Sequence, residues 1–457
     1  MRSVVLLLLF ALPASAAERK NVLVLVADDL GRQVGCYGDK VAKTPNLDKL
    51  AASGTRFVNG FASVSSCSPS RATMLTGLPT HQCGQYGLAH ATHHQQTFAT
   101  VKSLPGLLGP AGYRTGVVAK LHVLPKTVYP FDEEIGDGGR NPVTAASKAK
   151  KFIEDAGEKP FFLWVGFTDP HRAAKGFANT GKYPKEVPDA AFDPKTVPMP
   201  AFLPDLPEVR ADLADYYQSV TRLDYGVGLL LKLLDDKKLA DNTLVVFLSD
   251  NGIPFPGAKT SLYDAGVHLP FVVRKPGQKA GVVSGAMVNW TDLAPTVLDW
   301  CGAKPAEAMR GKSVLPILEE ANPKGWDVVF GSHQMHEITM YYPMRMVRTR
   351  EYKLIHNLAH KLEVPSASDL WESPTWQGIL KRNDDKMGVR TVKAFLNRPE
   401  FELYDVTADP HEATNLLANV KSAVKPETTA AMETLSAKLA EWRKATNDPW
   451  LIKDKHE

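Results

Sequence analysis

The chain has 457 residues, of which 44% are hydrophobic and 23% are charged, with 33 glycines and 33 prolines. This composition excludes collagen, a coiled coil and wholesale disorder, and the length favours one large domain together with a smaller one. The 54 basic and 50 acidic side chains give a formal charge of +4, which is too small to indicate a nucleic-acid-binding protein.

The N-terminal residues 1–16 have the pattern of a secretory signal peptide. Arg2 supplies a positive charge, residues 4–12 are an apolar run, and residues 14–16 (Ala-Ser-Ala) offer the small side chains that a signal peptidase accepts. The apolar run is too short to span a bilayer, and no later stretch approaches the ~20 apolar residues of a membrane helix. We therefore predict an exported protein without a membrane span that begins near Ala17; a buried N-terminal strand is the alternative.

Apolar, β-branched runs alternate with helix-like stretches from residue 17 to about residue 325. Continuous apolar runs are typical of strands that are buried on both faces, and they predict strands at residues 21–27, 115–119, 161–167, 243–248 and 270–273. The predicted helices are residues 47–53, 70–75, 145–153 and 211–234. This alternation predicts an α/β domain with a mostly parallel sheet, and the Pro-rich residues 183–207 are predicted to form a surface excursion.

The pattern changes after about residue 325, and residues 326–457 are predicted to form a smaller domain. Strands of an antiparallel sheet are predicted there at residues 328–330, 344–356 and 401–404. A final amphipathic helix is predicted over residues 428–443, and its apolar side is formed by Met432, Leu435, Leu439 and Trp442. A two-domain chain fits this organisation best.

Acidic and amide side chains follow two of the predicted strands. Asp28 and Asp29 come after residues 21–27, and Asp250 and Asn251 follow the strand near residues 243–248. Because ligands bind beyond the carboxyl ends of strands in open α/β sheets, we expect these side chains to share a site. Three carboxylates and an amide oxygen suit Ca²⁺ or Mg²⁺ better than Zn²⁺. A single pair would also suit a solvated turn or a helix N-cap, but two pairs at equivalent strand ends favour the metal site.

Cys67 is followed by Ser68, Pro69, Ser70 and Arg71. A proline suits the first turn of a helix, so Cys67 is predicted at a helix N-terminus, where free N–H groups favour an anion. Arg71 lies one turn further on and can donate paired hydrogen bonds to an oxyanion. An unmodified thiol at this place would be a candidate nucleophile of lowered pKa, although no Cys-His protease motif surrounds it.

This segment, with Leu75-Thr76-Gly77 and the two acidic pairs, resembles the sulfatase family, whose motif cysteine is oxidised to formylglycine during export. Longer matches resemble the heparan N-sulfatase, or sulfamidase, branch and cover essentially the whole mature chain. They are residues 63–71, 75–79, 81–82, 86–88, 122–123, 128–131, 169–172, 250–256, 292–296, 336–340, 342–345, 403–405 and 409–412.

The resemblance implies an alkaline-phosphatase-like fold and hydrolysis of the N-sulfate of terminal glucosamine in heparan- or heparin-type chains. It implies one Ca²⁺, with Mg²⁺ less favoured, held by Asp28, Asp29, Asp250, Asn251 and the formylglycine at position 67. The implied catalytic residues are Cys67, Arg71, Lys120, His122 and His171. The implied substrate-binding residues are Lys259, His171, His336 and Glu337.

Roles follow from the same resemblance. Lys120 would hold the formylglycine hydrate and His122 would be the base that releases sulfate. His171 would contact the sulfamate and protonate the leaving nitrogen, and Lys259 would bind sulfate oxygens. Lys120 and His122 lie two residues apart after a predicted strand, so we expect an extended backbone to place both on one face.

The sequence also departs from the sulfamidase pattern. Lys259 stands where sulfamidases carry Arg, and Lys126 replaces an acidic residue, which leaves the sugar specificity open. The loop after His171 is shorter and lacks the cysteines of its relatives. A disulfide between Cys36 and Cys83 is a further hypothesis, since an exported protein meets an oxidising compartment.

Two clusters have competing interpretations. His90, His93 and His94 invite a zinc hypothesis, but no carboxylate or cysteine stands at ligand spacing, so lining of the pocket mouth is favoured. The aromatic residues of the second cluster either stack on sugar rings or belong to the core. They are Trp371, Trp376, Tyr341 and Tyr342.

Other functions remain open at this point. The alternatives are an O-sulfatase on another sulfated glycan, a phosphonate or phosphate ester hydrolase that uses the same nucleophile, and an inactive protein that binds sulfated glycans. The resemblance further implies a formylglycine-generating enzyme as partner during maturation and a homodimer. A periplasmic or secreted bacterial location is favoured over a lysosomal one.

Overall fold

The computed structural model describes residues 20–136, 138–382, 385–418 and 425–453. The predicted signal peptide, residues 1–16, and the predicted mature start near Ala17 lie outside the described residues. Among the described helices, none combines the length and the apolar character that crossing a lipid bilayer requires.

A mixed sheet of eight strands forms the centre of the protein. In chain order its strands are β1 (Asn21–Ala27), β2 (Thr55–Phe61), β3 (Arg114–Ala119), β4 (Glu133–Ile135), β5 (Phe161–Gly166), β6 (Thr243–Ser249), β7 (His268–Arg274) and β8 (Val282–Asn289). From edge to edge they are arranged β4-β3-β5-β1-β6-β7-β2-β8. The order places β1 and β6, the strands that precede the two acidic pairs, side by side.

The central strands are buried on both faces. β1 pairs in parallel with β5 and with β6, whereas β7 is antiparallel to β6 and to β2. Along β1, alternate side chains enter different apolar clusters: Val22, Val24 and Val26 on one face, Leu23, Leu25 and Ala27 on the other. Burial on both faces explains why this strand is a continuous apolar run, and it confirms the α/β prediction.

Helices cover both faces of the sheet and continue into the C-terminal part. They are α1 (Pro45–Ser53), α2 (Cys67–Thr76), α3 (Thr80–Cys83), α4 (Leu104–Leu108), α5 (Pro142–Ala156), α6 (Pro207–Asp236), α7 (Asp264–Val267), α8 (Leu293–Cys301), α9 (Ser368–Trp371), α10 (Pro374–Arg382), α11 (Val392–Leu396) and α12 (Pro426–Ala445). The four helices predicted in the α/β part are all present and begin earlier than expected. In α5 the reason is Asn141, whose side chain caps the helix by accepting hydrogen bonds from two backbone N–H groups.

The C-terminal part is built on an antiparallel sheet, as predicted. Its strands and a neighbouring two-stranded ribbon are β9 (Val328–His333), β10 (Met344–Thr349), β11 (Tyr352–Asn357), β12 (Lys386–Met387), β13 (Arg390–Thr391) and β14 (Phe401–Asp405). The four-stranded sheet has the order β14-β11-β10-β9, and α12 packs Leu435 and Leu439 onto it. The single strand expected at residues 344–356 is wrong, because the chain turns at residues 350–351 and forms the hairpin β10-β11. The domain division near residue 325 stays a prediction.

The hypothesised disulfide between Cys36 and Cys83 is also wrong. Both thiols are free. Cys83 belongs to the apolar cluster on one face of the large sheet, whereas Cys36 packs against the cluster on the other face. The sheet therefore separates the two residues.

Candidate active site

The two acidic pairs and the cysteine motif meet at the carboxyl ends of β1 and β6. These strands are paired along their full length, so Asp28 and Asp250 each stand one residue beyond the last pair. The backbone N–H of Asp29 donates a hydrogen bond to Asp250 Oδ1 at 3.0 Å. Cys67, the first residue of α2, has its Sγ 3.9 Å from Asp29 Oδ1 and 3.7 Å from Asn251 Nδ2. The residues that the sequence placed in one site are therefore brought together.

Arg71 holds the carboxylates in place. Its Nε donates a 2.9 Å hydrogen bond to Asp250 Oδ2, and its Nη2 lies 3.6 Å from Asp28 Oδ1. Its Nη1 donates to the backbone oxygen of Lys120 at 2.8 Å. Arg71 and both carboxylates are fully buried. The guanidinium expected to bind an oxyanion is thus directed at protein carboxylates, and Arg71 acts by positioning them.

The site fits a divalent cation. Asp28 Oδ1 and Asn251 Oδ1 are buried, and in the described part of the chain no donor makes a hydrogen bond to either oxygen. Buried oxygens without donors are costly unless a cation coordinates them, and hard oxygen ligands suit Ca²⁺ or Mg²⁺. Ligand atoms of four side chains lie within 4.8 Å of one another, namely those of Asp28, Asp29, Cys67 and His171.

The carboxylates differ in how readily they ionise. Burial raises the pKa of Asp29, and the charge of Lys259 only partly offsets this. Burial and the negative charge of Asp28 raise the pKa of Asp250. Burial acts in the same direction on Asp28, but the charge of Lys120 and other cations nearby hold its pKa well below the usual range. A bound divalent cation would favour the ionised form of all three carboxyl groups.

The lowered pKa expected for an unmodified Cys67 thiol is wrong. Burial raises the pKa of this thiol well above its ordinary value, although the charge of Lys120 acts in the opposite direction. Asp28 and Asp250 add to the increase, since a thiolate beside carboxylates is disfavoured. An unmodified Cys67 is therefore a poor thiolate nucleophile at this place.

Lys120 and His122 reach the site by a different backbone path from the one expected. β3 ends at Ala119, which has a φ of 65°, and His122 has a φ of 66°, so the backbone leaves the extended conformation at both of these residues. Lys120 Nζ pairs with Asp28 Oδ2, and burial together with the charge of Lys120 lowers the pKa of His122 well below its usual range. Left-handed backbone at non-glycine residues is strained and often marks functional sites. Here it occurs at Asp29, Ala119, His122 and Thr260.

Lys259 and His171 form the other side of the site. Lys259 Nζ lies 3.0 Å from Asp29 Oδ2 and 3.3 Å from His171 Nε2. His171 Nδ1 lies 2.5 Å from the backbone oxygen of Arg172, which places the proton of a neutral ring on Nδ1 and leaves Nε2 facing the site. Burial and the charge of Lys259 lower the pKa of His171 to about 3.

Asp369 in α9 completes this side and was missed by the sequence analysis. Its Oδ2 lies 2.7 Å from Lys259 Nζ and 3.9 Å from His171 Nε2. Asp369 is 110 residues away from Lys259 in the chain and belongs to the part predicted as a separate domain. No spacing or motif around Asp369 could have indicated this contact.

His336 and Glu337 lie at the border of the site and differ in exposure. His336 is buried, and its Nδ1 is 2.8 Å from the hydroxyl of Ser66, the N-cap residue of α2. Glu337 accepts hydrogen bonds from the N–H and the hydroxyl of Ser368, at 2.7 and 2.6 Å. Ser368, Asp369 and His171 line a cavity of about 300 Å³.

Lys126 is exposed, and its ammonium is directed to Glu134 at 2.8 Å.

The histidine cluster lies beside His122 rather than around a metal site. His90 Nδ1 is 2.5 Å from His122 Nε2, and His93 Nδ1 accepts a 3.2 Å hydrogen bond from the backbone of Ile338. Among the described residues, acidic, cysteine and histidine side chains converge in sets of three or more only around Asp28. The zinc hypothesis is therefore not supported.

The four aromatic residues divide into two pairs. Trp376 and Tyr342 are buried in apolar clusters and belong to the core. Trp371 is 49% exposed and Tyr341 is 44% exposed. Stacking on a sugar ring therefore remains an interpretation for Trp371 and Tyr341 alone.

Comparison with known proteins decides the family. The family model described as Sulfatase matches residues 20–303, and the model described as N-sulphoglucosamine sulphohydrolase, C-terminal, matches residues 258–377. The N-sulphoglucosamine sulphohydrolase of Homo sapiens is 42% identical over 480 residues, which cover 97% of this chain and 94% of the human protein. The chain belongs to the sulfatase family. Sulfatases generally use a formylglycine and a divalent metal, and the buried group around Cys67 suits both.

More distant members and solved structures agree with this assignment. An ulvan-active sulfatase of Formosa agariphila is 29% identical, with 95% of this chain and 82% of the relative covered. A protein solved in complex with its substrate D-glucosamine-2-N,6-O-disulfate has a TM-score of 0.66 at 21% identity, with 94% and 98% of the two chains covered. A phosphonate monoester hydrolase of Agrobacterium radiobacter has a TM-score of 0.70 at 20% identity, with 94% and 96% covered. At these identities the structural likeness bears on the fold alone, and the predicted sulfatase fold is confirmed.

Proposed function

We propose that this protein hydrolyses the N-sulfate of glucosamine at the non-reducing end of heparan- or heparin-type chains. The observation that carries the proposal is the position of Cys67 at a buried helix start, against the carboxylates of Asp28 and Asp29, with Lys259 and His171 on the open side. The 42% identity with the human N-sulphoglucosamine sulphohydrolase supports the choice of a sulfamate over a sulfate ester.

The metal ligands are proposed to be Asp28, Asp29, Asp250, Asn251 and residue 67, and the ion to be Ca²⁺. When bound, the ion and the formylglycine would together supply an activated hydroxyl group as the nucleophile. Arg71 keeps the carboxylates oriented through its contacts with Asp250 and Asp28. The chain itself thus provides a fixed, water-poor setting for the sulfur atom under attack.

The remaining side chains handle charge and protons. Lys259 binds the sulfuryl oxygens, since its ammonium is buried and faces the site. His171 presents Nε2 to the leaving nitrogen because Nδ1 donates to the Arg172 carbonyl. Nε2 of the neutral ring carries no proton, so the ring must first take up a proton at Nε2, which the negative charge of a bound sulfamate favours, before it can transfer that proton to the leaving nitrogen. Lys120 orients residue 67. His122 accepts the proton that the hydroxyl group of residue 67 must lose before sulfate departs. Glu337 and His336 are proposed to border the sugar.

Maturation and assembly belong to the same proposal. A formylglycine-generating enzyme would oxidise Cys67 during export, and the protein would then act as a homodimer in a periplasmic or extracellular compartment. The mass of the tryptic peptide that contains residue 67 tests the first step. An aldehyde at residue 67 is expected, and an intact thiol in protein purified from its natural host would contradict the proposal.

Turnover of matched substrates tests the activity. The purified protein is incubated with disaccharides that carry N-sulfoglucosamine or 6-O-sulfoglucosamine at the non-reducing end, and with a phosphonate monoester. Release of sulfate from the N-sulfated sugar, faster than any other reaction, is expected. Preference for the O-sulfate or the phosphonate would establish one of the alternative hydrolases, and binding of the sugars without turnover would establish a glycan-binding protein.

A further inference from the structure

A second cavity lies behind the loops that carry the active-site residues. It has a volume of about 430 Å³, and none of the active-site side chains described above lines it. Its wall includes residues 31–33, which directly follow the loop of Asp29, and Gly257, two residues before Lys259. Residues 200–202, Ile253, residues 263–265 and His268 form a further part of the wall, and C-terminal residues that include Arg348, Arg390 and Glu412 complete it. A volume of this size is sufficient for a sugar-sized ligand.

The carboxylates of this cavity are already paired with cations. Asp264 Oδ1 lies 2.7 Å from Lys353 Nζ, and its Oδ2 lies 3.2 Å from Arg348 Nη2. Glu412 Oε1 lies 2.8 Å from the same Lys353 ammonium. Lys353 and Arg348 are both buried, so these pairs are fixed parts of the wall. Among the described residues, neither carboxylate makes a direct ion-pair contact with Arg32 or Arg390, although both lie close enough for their charge to be felt there.

Arg32 and Arg390 are the other cations of the cavity, and their partners are not carboxylates. Arg32 Nη1 lies 2.8 Å from the backbone oxygen of Val58 and 2.7 Å from His268 Nε2. Arg390 Nη2 donates to the backbone oxygens of His411 and Glu412, and its guanidinium stacks on the Tyr263 ring at 3.9 Å. In the described part of the chain, both guanidiniums therefore keep their positive charge without an ion-pair partner.

The charge of the whole cavity is consequently positive. Three lining cations, Arg32, Arg348 and Arg390, stand against the two lining carboxylates of Asp264 and Glu412, which leaves an excess of one positive charge. The buried Lys353 does not line the cavity but pairs with both carboxylates. Such an excess in a partly enclosed space attracts anions, because the low-dielectric walls strengthen the field. Guanidinium groups in particular match the planar geometry of oxyanions and bind them with paired hydrogen bonds.

We propose that this cavity is a second binding site, in which Arg32 and Arg390 hold the oxyanion of a small anionic ligand, either the sulfate group of a sugar or free sulfate. The two sources share one chemistry, a tetrahedral oxyanion. The site is separate from the catalytic residues, and its existence does not depend on the proposed hydrolysis. Its wall is continuous with the loops of Asp29 and Lys259.

Equilibrium dialysis with labelled sulfate tests the site on the intact protein. The wild type is expected to bind sulfate at this cavity in addition to the active site. The double variant Arg32→Gln/Arg390→Gln is expected to bind at the cavity at least about tenfold more weakly, the loss expected for charged hydrogen bonds. Lys259→Met should remove the active-site component alone. Unchanged stoichiometry and affinity in the double variant would overturn the proposal.

Matched controls separate binding from folding. Arg350→Gln removes an exposed arginine outside the cavity, which pairs with Asp327 at 2.7 Å, and should leave sulfate binding unchanged. If the double glutamine variant does not fold, Arg32→Lys/Arg390→Lys decides. This variant keeps both charges but loses the paired geometry, and unchanged binding by it would also contradict the proposal.

Titration with a second ligand distinguishes the two sources of the oxyanion, a sulfated sugar and free sulfate. Glucosamine 6-sulfate is titrated in the same way, with chloride at equal ionic strength as a control. Binding to the cavity more than about tenfold tighter than that of sulfate identifies a sulfated sugar as the ligand, and equal binding identifies free sulfate. Binding of neither at the cavity would overturn the proposal. Sulfate bound there by a protein without turnover of N-sulfoglucosamine would contradict the catalytic proposal alone.

Discussion

Lys259 supplies the positive charge that balances two carboxylates, those of Asp29 and Asp369, on one side of the site. It lies between Asp29 at 3.0 Å and Asp369 at 2.7 Å, and all of its ammonium is buried. Burial opposes its charge, but the two carboxylates hold its pKa well above the ordinary value. A lysine in this position remains charged at neutral pH, as a residue that binds sulfate oxygens must.

Replacing Lys259 by Met is expected to reduce kcat/KM for the N-sulfated substrate by about 100-fold, because one preorganised charge at the reacting group is lost. Lys259→Arg is the matched control. It keeps the charge and restores the side chain that the sulfamidase pattern carries, so most of the activity should remain. Steady-state kinetics on both variants is the measurement, and near-normal turnover by Lys259→Met would show that this ammonium does not bind the reacting group.

Asp369 positions Lys259 from the C-terminal part of the chain. Asp369→Asn removes its charge and is expected to lower kcat/KM about tenfold, since Lys259 then has Asp29 as its remaining partner. Glu372→Gln is the control, because Glu372 lines the same cavity but is exposed. Lys259→Met/Asp369→Asn should lose less than the two single losses combined, as residues in contact do. Additive losses would indicate that Asp369 acts independently of Lys259.

At the scale of elements, α12 holds the C-terminal sheet together. Leu439 is buried and packs against Val347, Leu354 and Leu403 of the sheet. Leu439→Ala is expected to lower the free energy of unfolding by about 2–5 kcal/mol, because it leaves a cavity in a packed cluster. Lys438→Ala, on the exposed side of the same helix, should change stability little. Denaturant unfolding compares the two, and equal effects would mean that α12 is not packed as described.

His81 in α3 connects the large sheet with the C-terminal part. Its Nδ1 lies 2.8 Å from Ser332 Oγ of β9, and its Nε2 lies 2.8 Å from Thr446 Oγ1 just after α12. Burial, with a contribution from the charge of Arg345, lowers the pKa of His81 to about 3. The folded protein therefore keeps this ring neutral at pH values where the unfolded chain takes up a proton.

Stability should consequently fall as the pH decreases from about 6.5 towards 3, because the unfolded state binds the extra proton in that range. At pH 5 the contribution of His81 to this loss is about 2 kcal/mol. His81→Gln is expected to be less stable at pH 7 but to show a shallower loss between pH 7 and pH 5. Replacement of the exposed His94 by Gln is the control. An identical pH slope in His81→Gln and wild type would contradict the buried neutral ring.

The elements that the sequence predicted best are those with one clear pattern. β1, β5 and β6 are continuous apolar runs, and α5 and α6 have clear helical periodicity. The periodicity of α12 is weaker, and this helix could be predicted from the spacing of a few large apolar side chains such as Leu435 and Leu439. β2 and β8 were missed because polar and small residues interrupt them: β2 contains Arg56, Asn59 and Gly60 and pairs irregularly with both of its neighbours. The antiparallel direction of β7 could not be predicted, because a strand buried on both faces has the same apolar pattern whether it runs parallel or antiparallel to its neighbours.

For the whole molecule, the meeting of the two acidic pairs could be predicted because each pair follows a continuous apolar strand, and strand ends meet in an α/β sheet. The residues of the cysteine motif are consecutive in the chain, so this motif could also be found from the sequence alone. Two contacts could not be predicted: Asp369 reaches Lys259 from the C-terminal part, and Arg71 is directed at carboxylates instead of at an oxyanion. These contacts depend on how the two parts of the chain pack, which leaves no periodic signal in the sequence.

The convergence of Asp28, Asp250, Asn251 and residue 67 on one divalent cation is the central claim, and calorimetric titration of metal-free protein with Ca²⁺ tests it most directly. One ion per chain is expected for the wild type, with an increase in melting temperature on binding. Asn251→Leu should weaken binding by at least about tenfold, because it removes a ligand oxygen that has no other partner. Asn322→Leu, an exposed control in the C-terminal half of the chain, should bind as the wild type does. No bound ion in the wild type, or equal affinity in Asn251→Leu, would contradict the account.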